Sequence, residues 1–142
     1  MHEALRRFSA PAGEWFADVF PSTTPVQADA WRAIADGDHS LVVAPTGSGK
    51  TLAAFLWAID SLTTREHPQA GTTVVYLSPL KALGVDVARN LQAPLTGIEL
   101  AAARLGQPFQ RPSIGVRTGD TPASERARLI RRPPDILITT PE

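Results

Sequence analysis

Short apolar, β-branched runs alternate with segments whose apolar residues recur every three to four positions, and this alternation predicts an α/β fold. Over the first 24 residues, Leu5, Phe8, Trp15, Phe16, Val19 and Phe20 are the apolar positions of short helices. Thr24-Pro25 reads as an N-cap followed by proline at the first helical position. It opens a helix to about Ala35, which Asp36-Gly37-Asp38 ends. Ser40-Leu-Val-Val-Ala44 has the look of a buried parallel strand, and Leu52, Phe55, Leu56 and Ile59 then repeat at helical spacing in a helix to about Arg65. A polar turn over 66–71 leads to a second buried strand over 72–77 and a helix carrying Leu80, Leu83, Val87 and Leu91. A short helix is expected after Pro94, from about Ile98 to Leu105, and then a loop over 106–112. Ile114 to Arg117 reads as a third strand. Thr121-Pro122 caps a helix to about Ile130, Arg131-Arg-Pro-Pro134 breaks it, and Asp135 to Thr139 is a fourth strand.

Strands alternating with helices at this spacing predict a parallel sheet in three layers with right-handed crossovers. The expected organisation is an N-terminal helical segment over 1–24 and one α/β domain over 25–142. The chain stops at Pro141-Glu142, immediately after a strand. Strands of a parallel sheet need helices on both faces and usually more neighbours, so the expectation is a domain cut short.

Composition narrows the function classes. At 142 residues, 43% of them hydrophobic and 20% charged, the chain has enough material for one buried core. Its formal net charge is zero, so any contact with nucleic acid must come from a local basic patch. Without cysteine it makes no disulfide and no thiolate metal site, and His2, His39 and His67 lack metal-ligand spacing. The start carries no apolar signal segment and no run approaches the roughly 20 apolar residues that span a bilayer, so a cytoplasmic protein is expected. Cations are lopsided, with twelve arginines against two lysines, Lys50 and Lys81. Both lysines stand where a strand gives way to a helix, which hints at a need for a point charge there.

The sharpest chemistry lies in Ala44-Pro-Thr-Gly-Ser-Gly-Lys-Thr51, which fits [AG]-x-x-x-x-G-K-[ST] between an expected strand and an expected helix. Gly47 and Gly49 have the backbone freedom to turn successive N–H groups inward around an anion, and the helix dipole starting near Gly49 adds to that field. Lys50 would reach the β- and γ-phosphates of a nucleotide, and the Thr51 hydroxyl would complete the shell of a magnesium ion. No serine, histidine and carboxylate arrangement suggests nucleophilic catalysis.

Four further segments follow in a known order. Gln27 lies upstream of the loop, Ser78-Pro-Leu-Lys-Ala-Leu83 follows the second strand, Thr118-Gly-Asp120 the third, and Thr139-Thr-Pro-Glu142 the fourth. The succession resembles the Q-motif and motifs I, Ia, Ib and Ic of the first RecA-like P-loop NTPase domain of superfamily 2, DEAD/DEAH-box-like helicases. The wording APTGSGKTLAAFLWAID, YLSPLKALGVDVARNL and VRTGDT…PPDILITTPE is similar to the Lhr type, the large helicase-related proteins of bacteria and archaea. The resemblance runs from about Pro21 to the end of the chain.

This resemblance implies an ATP- and Mg2+-dependent helicase that moves 3′ to 5′ on single-stranded nucleic acid and unwinds duplexes, with DNA or an RNA–DNA hybrid as partner. It implies that Gln27 reads the adenine edge, with Phe20 a candidate to stack on the base. Thr46, Gly47, Ser48, Gly49, Lys50 and Thr51 would hold the phosphates and metal, with Lys50 and Thr51 serving the chemistry. Pro79, Lys81, Thr118, Gly119, Asp120, Thr140 and Pro141 would line the nucleic-acid path, gripping phosphates without reading sequence. It also implies what is missing: the Asp-Glu pair of motif II is not in this chain, nor is a second RecA-like domain with its arginine fingers. The 142-residue chain is therefore expected to bind nucleotide and nucleic acid without turnover, as the N-terminal piece of a longer motor truncated before motif II.

Plainer readings stand beside these roles. Thr24-x-x-Gln27 is also a capping box, Phe20 is also a core residue, and Lys81 is also a solvated lysine. Thr118-Gly-Asp120 is good turn chemistry, and Thr140-Pro141 is also a strand end. Arg126, Arg128, Arg131 and Arg132 read as a solvated helix face. The rival functions are a short module that binds nucleotide or single strands and hydrolyses nothing, and a small P-loop kinase, for which no acceptor-site residues are visible.

Overall fold

The computed structural model describes residues 3–67 and 69–141, which form two compact units. His2 and Glu142, the latter closing the Thr139 to Glu142 motif, lie outside the described residues, as does Pro68 in the polar turn.

The first unit takes in the described residues up to Thr64, together with Gly97–Phe109. It holds a 3-10 turn, Glu3–Leu5, and the helices α1 (Ala10–Val19), α2 (Pro25–Ala35) and α3 (Lys50–Thr63). Helix α2 begins as the sequence predicts: the Thr24 hydroxyl accepts the Gln27 backbone N–H at 3.3 Å, and the Gln27 side-chain oxygen accepts the Thr24 N–H at 3.0 Å. This reciprocal capping box satisfies two donors that a helix start leaves open. Trp31 is the core of the unit, 1% exposed, and makes T-shaped ring contacts with Phe8 and Phe16 at centroid distances of 5.0 and 5.6 Å. Phe55, Leu56 and Ile59 of α3 are buried as their spacing predicts.

One acid is buried in this unit. Asp60 of α3 accepts the Ser9 N–H at 2.9 Å and the Ser9 hydroxyl at 2.5 Å, which fixes the residue that caps α1. Burial pushes the Asp60 carboxyl above its ordinary range, against the opposing pull of the hydrogen bonds from the Ser9 side chain and backbone. In the window between the ordinary and the raised value, the folded chain holds more protons than the unfolded one. Stability is therefore expected to fall as pH rises through that window. Urea unfolding from pH 4 upward should show this loss in the parent chain and not in Asp60→Asn. Asp60→Ala should cost about 1–3 kcal/mol below that window, by leaving the Ser9 donors unpaired, and less above it, where the parent has itself lost stability.

The second unit comprises Arg65–Thr96 and the described residues from Gln110 on. It contains β1 (Val74–Leu77), α4 (Lys81–Asn90), β2 (Ile114–Arg117), α6 (Ala123–Arg131) and β3 (Ile136–Thr139). Between α4 and β2 runs α5, Gln92–Arg104, whose residues from Gly97 on belong to the first unit. Three strands form an all-parallel sheet in the order β1-β3-β2, with Leu77 opposite Thr139 and Thr139 opposite Arg117. The central strand carries the core, with Ile136 and Ile138 fully buried.

Glycines set two of the approaches to this sheet. A Cβ on Gly84 of α4 would lie 3.2 Å from Ile138 Cγ2, and one on Gly115 of β2 would lie 2.7 Å from both Leu129 of α6 and Pro134. At Gly115 a side chain would force Leu129 or Pro134 to move, while at Gly84 it would press on Ile138. Below the strands, the Asp135 carboxylate accepts from Arg65 at 2.5 Å and from the Ser113 N–H and hydroxyl at 2.8 and 3.1 Å. Partial burial raises this carboxyl, but the Ser113 and Arg65 partners outweigh it and hold it below its ordinary range.

Several expectations are corrected. The segment 40–44 is not a strand: no strand of the sheet pairs with it, and Leu41 and Val43 are 91% and 82% exposed. A β-branched run becomes a strand only where a neighbour accepts its ladder hydrogen bonds. The strand read over 72–77 is shorter and is not buried on both faces, since Val75 and Leu77 are exposed at the sheet edge. Helix α4 turns Gly84 to the sheet while Leu80 and Leu83 stay exposed. Helix α5 starts at Gln92 and carries Pro94 in its first turn, where a missing N–H costs no helical bond. Thr121 does not cap α6; its hydroxyl accepts the Thr118 N–H at 2.8 Å.

Candidate nucleotide and nucleic-acid sites

In the first unit the loop between residue 44 and α3 has the backbone that its glycines permit. Gly47 and Gly49 sit at φ +82° and +85°, and Gly49 is the N-cap of α3 with no side-chain cap. A Cβ on Gly49 would also come within 2.4 Å of Gln27 Nε2, so both conformation and space demand glycine there. Lys50 heads the helix, and its ammonium donates back to the carbonyls of Ala44 and Pro45, the latter at 2.9 Å. The Ser48 hydroxyl and N–H both donate to Pro45 O, at 2.7 and 3.3 Å. The loop thus satisfies itself, holding a cation and a donor on its own carbonyls.

Helix α2 buttresses this loop at two points. The Thr24 hydroxyl donates to Ser48 O at 2.9 Å, and Gln27 Nε2 donates to Gly49 O at 3.4 Å. Gln27 is buried, and its amide carries the capping box and the loop contact together, because a primary amide accepts and donates at once. A cavity of about 470 Å³ opens beside them, lined by Phe20, Gln27, Thr46, Gly47, Gly49, Lys50, Thr51 and Leu52. Its size lies in the range of small-molecule sites. Phe20 lines it while also packing on Phe16 at 4.8 Å, so the aromatic is both core and wall. Of the residues read as nucleotide-binding, Ser48 alone is not in that lining. Thr24 and Leu52 are additions: Thr24 read only as a cap, and nothing in its spacing tells of the Ser48 contact.

The second candidate site belongs to the second unit and follows from strand direction. In a parallel sheet every strand ends at the same edge, and the loops leaving those ends gather there. Ser78 to Lys81 leave β1, Thr118 to Asp120 leave β2, and Thr140 and Pro141 leave β3. Ser78 is fully buried; its N–H donates to Thr139 O at 2.8 Å and its hydroxyl to Leu80 O at 2.8 Å. Pro79, Gly119, Asp120 and Pro141 are exposed and Thr118 is half-buried. Lys81 reaches from the loop after β1 to the loop after β2, its ammonium 3.1 Å from the Asp120 carboxylate.

Thr140 departs from its expected place. It is buried, its hydroxyl has no partner among the described residues, and its side chain therefore does not stand at the loop surface. Arg126, read as one of four solvated cations, instead donates to the carbonyls of Thr118 and Gly119 at 3.3 and 2.8 Å. Its neighbours Arg128, Arg131 and Arg132 are exposed as expected, Arg128 pairing with Glu125 at 2.5 Å. No sequence signal separates Arg126 from these three.

Comparison with known proteins adds the wider setting. Residues 24–142 match the family model of the DEAD/DEAH box helicases. The chain is 59% identical to the Lhr helicase/probable uracil glycosylase of Mycolicibacterium smegmatis over 99% of its own length, and 52% identical to the Lhr helicase/uracil glycosylase of Escherichia coli over 95%. It spans 9% of the length of each of these relatives. The structure of Mycobacterium smegmatis helicase Lhr bound to single-stranded DNA and AMP-PNP superposes with a TM-score of 0.92 at 58% identity, over 99% of this chain and 18% of that one. The parallel α/β architecture is that of a RecA-like helicase domain, as the sequence predicts.

Proposed function

The chain belongs to the DEAD/DEAH box helicase family, and from that premise we propose that it supplies the ATP-binding loop and part of the strand-binding edge of an Lhr-type ATP-dependent helicase. The observation that carries this reading is the cavity over Gly47, Gly49, Lys50 and Thr51, walled by Gln27 and Phe20, at a helix start whose first N–H groups have no side-chain cap. Those N–H groups, the Lys50 ammonium and the dipole of α3 favour a polyphosphate. The residues present fit ATP. Gln27 presents an amide for a base edge, Phe20 presents a ring for a base face, and Lys50 exchanges the carbonyls of Ala44 and Pro45 for phosphate oxygens. The Thr51 hydroxyl would hold the Mg2+ ion, which supplies charge neutralisation at the phosphates when bound.

On the second unit, Lys81 and the backbone of the 79–81 and 118–120 loops are proposed to grip phosphates of a nucleic-acid strand, of DNA or of an RNA–DNA hybrid, without reading bases. The likeness to a helicase bound to single-stranded DNA and AMP-PNP supports both roles. The chain holds no Asp-Glu pair to polarise an attacking water, so hydrolysis and unwinding are assigned to groups supplied by the longer protein, acting in the cytoplasm.

Purified chain titrated with a fluorescent ATP analogue and with a fluorescein-labelled oligothymidine should bind both saturably, with phosphate release at background. Failure to bind the nucleotide would overturn the assignment of the loop. Turnover that disappears on substituting Lys50 would overturn the division of labour.

A further inference from the structure

The carboxylate of Asp120 is out of keeping with a phosphate-gripping loop, because it carries the same charge as the ligand. Its position gives it a different task. The ammonium of Lys81 lies 3.1 Å from that carboxylate, and among the described residues the pair joins the loop after β1 to the loop after β2. The pair is not an accident of two mobile surface chains, since the loop that presents Asp120 is built. Arg126 donates to the carbonyls of Thr118 and Gly119, the Thr118 N–H donates to the Thr121 hydroxyl, and the Asp120 N–H donates to the Thr118 hydroxyl at 3.3 Å. The backbone at Gly119 lies close beside the ammonium, since a Cβ there would stand 3.3 Å from Lys81 Nζ.

We propose that Asp120 is a built-in competitor for Lys81, an electrostatic latch across the strand-binding edge that a nucleic-acid phosphate must displace to reach the lysine. The inference rests on the reading of this edge as a nucleic-acid interface and assigns Asp120 a regulatory place in it. Both partners are solvent-exposed, with side chains 39% and 78% accessible, so the pair is weak enough for a phosphate to exchange. The exchange breaks one ion pair for each one formed, so Lys81 contributes little net counterion release in the parent chain. With Asp120 neutralised, the same contact releases a counterion in full. The latch lowers the affinity of Lys81 for isolated anions until a strand contacts this edge.

The test is equilibrium binding of a fluorescein-labelled oligothymidine to the parent chain, Asp120→Asn, Lys81→Ala and the double variant, over a salt series. The latch requires Asp120→Asn to bind about two- to fivefold tighter, the range of an exposed ion pair. Its slope of log affinity against log salt should steepen by up to about 0.7. It also requires Asp120→Asn to have no effect in the Lys81→Ala background, since the cycle isolates the pair. Weaker binding by Asp120→Asn, or the same gain with and without Lys81, overturns the latch while the interface stands. If the double variant binds as tightly as Asp120→Asn, Lys81 makes no phosphate contact even when freed, and the interface falls with the latch.

Discussion

Lys50→Ala is expected to weaken ATP binding by about ten- to a hundredfold. The ammonium is a point charge at the head of α3, and in the structure it rests on the carbonyls of Ala44 and Pro45, beside the cavity that Gly47, Gly49 and Thr51 line. Hydrogen bonds from a charged donor contribute about 1.5–3 kcal/mol, and that loss corresponds to the stated range in the dissociation constant. Lys50→Arg should restore only part of the affinity, because a planar fork cannot replace a compact ammonium in a loop this tight. Titration of a fluorescent ATP analogue against all three chains measures it, with circular dichroism to confirm that α3 still forms. Equal affinity in the parent and Lys50→Ala would remove the loop from the nucleotide site.

The largest effect on stability falls in the first unit, where Trp31→Ala should cost about 3–5 kcal/mol, as for other large buried rings. Trp31 is 1% exposed and packs T-shaped against Phe8 and Phe16 at interplanar angles of 77° and 86°. Its indole N–H has no hydrogen-bond partner among the described residues. Trp31→Phe therefore removes a donor that gains nothing in the fold, which offsets part of the lost ring volume. Its cost should stay within about 1–2 kcal/mol. Urea midpoints of the three chains read the difference. A phenylalanine variant as unstable as the alanine one would show that the indole N–H is paired after all.

The reach of the sequence differs between the two sites. The backbone of the proposed nucleotide loop was legible because its parts are consecutive: the left-handed turns need Gly47 and Gly49, and these stand beside Lys50 in the chain. The Thr24-Gln27 capping box was legible for the same reason. The plain reading of Gln27 as a capping residue holds, and the same amide also touches the loop at Gly49 O, a contact that spacing does not state. The nucleic-acid edge was legible only as a set of segments. Which members face outward was not, and Thr140 turned inward while Arg126 took a bracing position that its exposed neighbours lack.

The error over 40–44 has a physical cause that recurs in α/β chains. Periodicity and β-branching report that a run suits a pleated surface, not that a partner strand exists, and Leu41 and Val43 stand exposed where no strand pairs with them. The misjudged face of α4 is related. Leu80 and Leu83 follow helical spacing, yet Gly84 is the residue pressed to Ile138, because backbone proximity and not side-chain hydrophobicity governs that contact.

By itself, then, the sequence determined what neighbouring residues can settle among themselves: the capping box that opens α2, the left-handed glycines of the 44–51 loop and the alternation that makes the fold α/β. The tertiary structure alone decided what depends on partners distant in the chain. It set the sheet order β1-β3-β2, which gathers three loops at one edge, and the pairing of Lys81 with Asp120 across 39 positions. It set the burial of Asp60 against Ser9 across 51. Hydrogen-bond ladders, ion pairs and desolvation need two surfaces to meet, and no local pattern states where the second one lies.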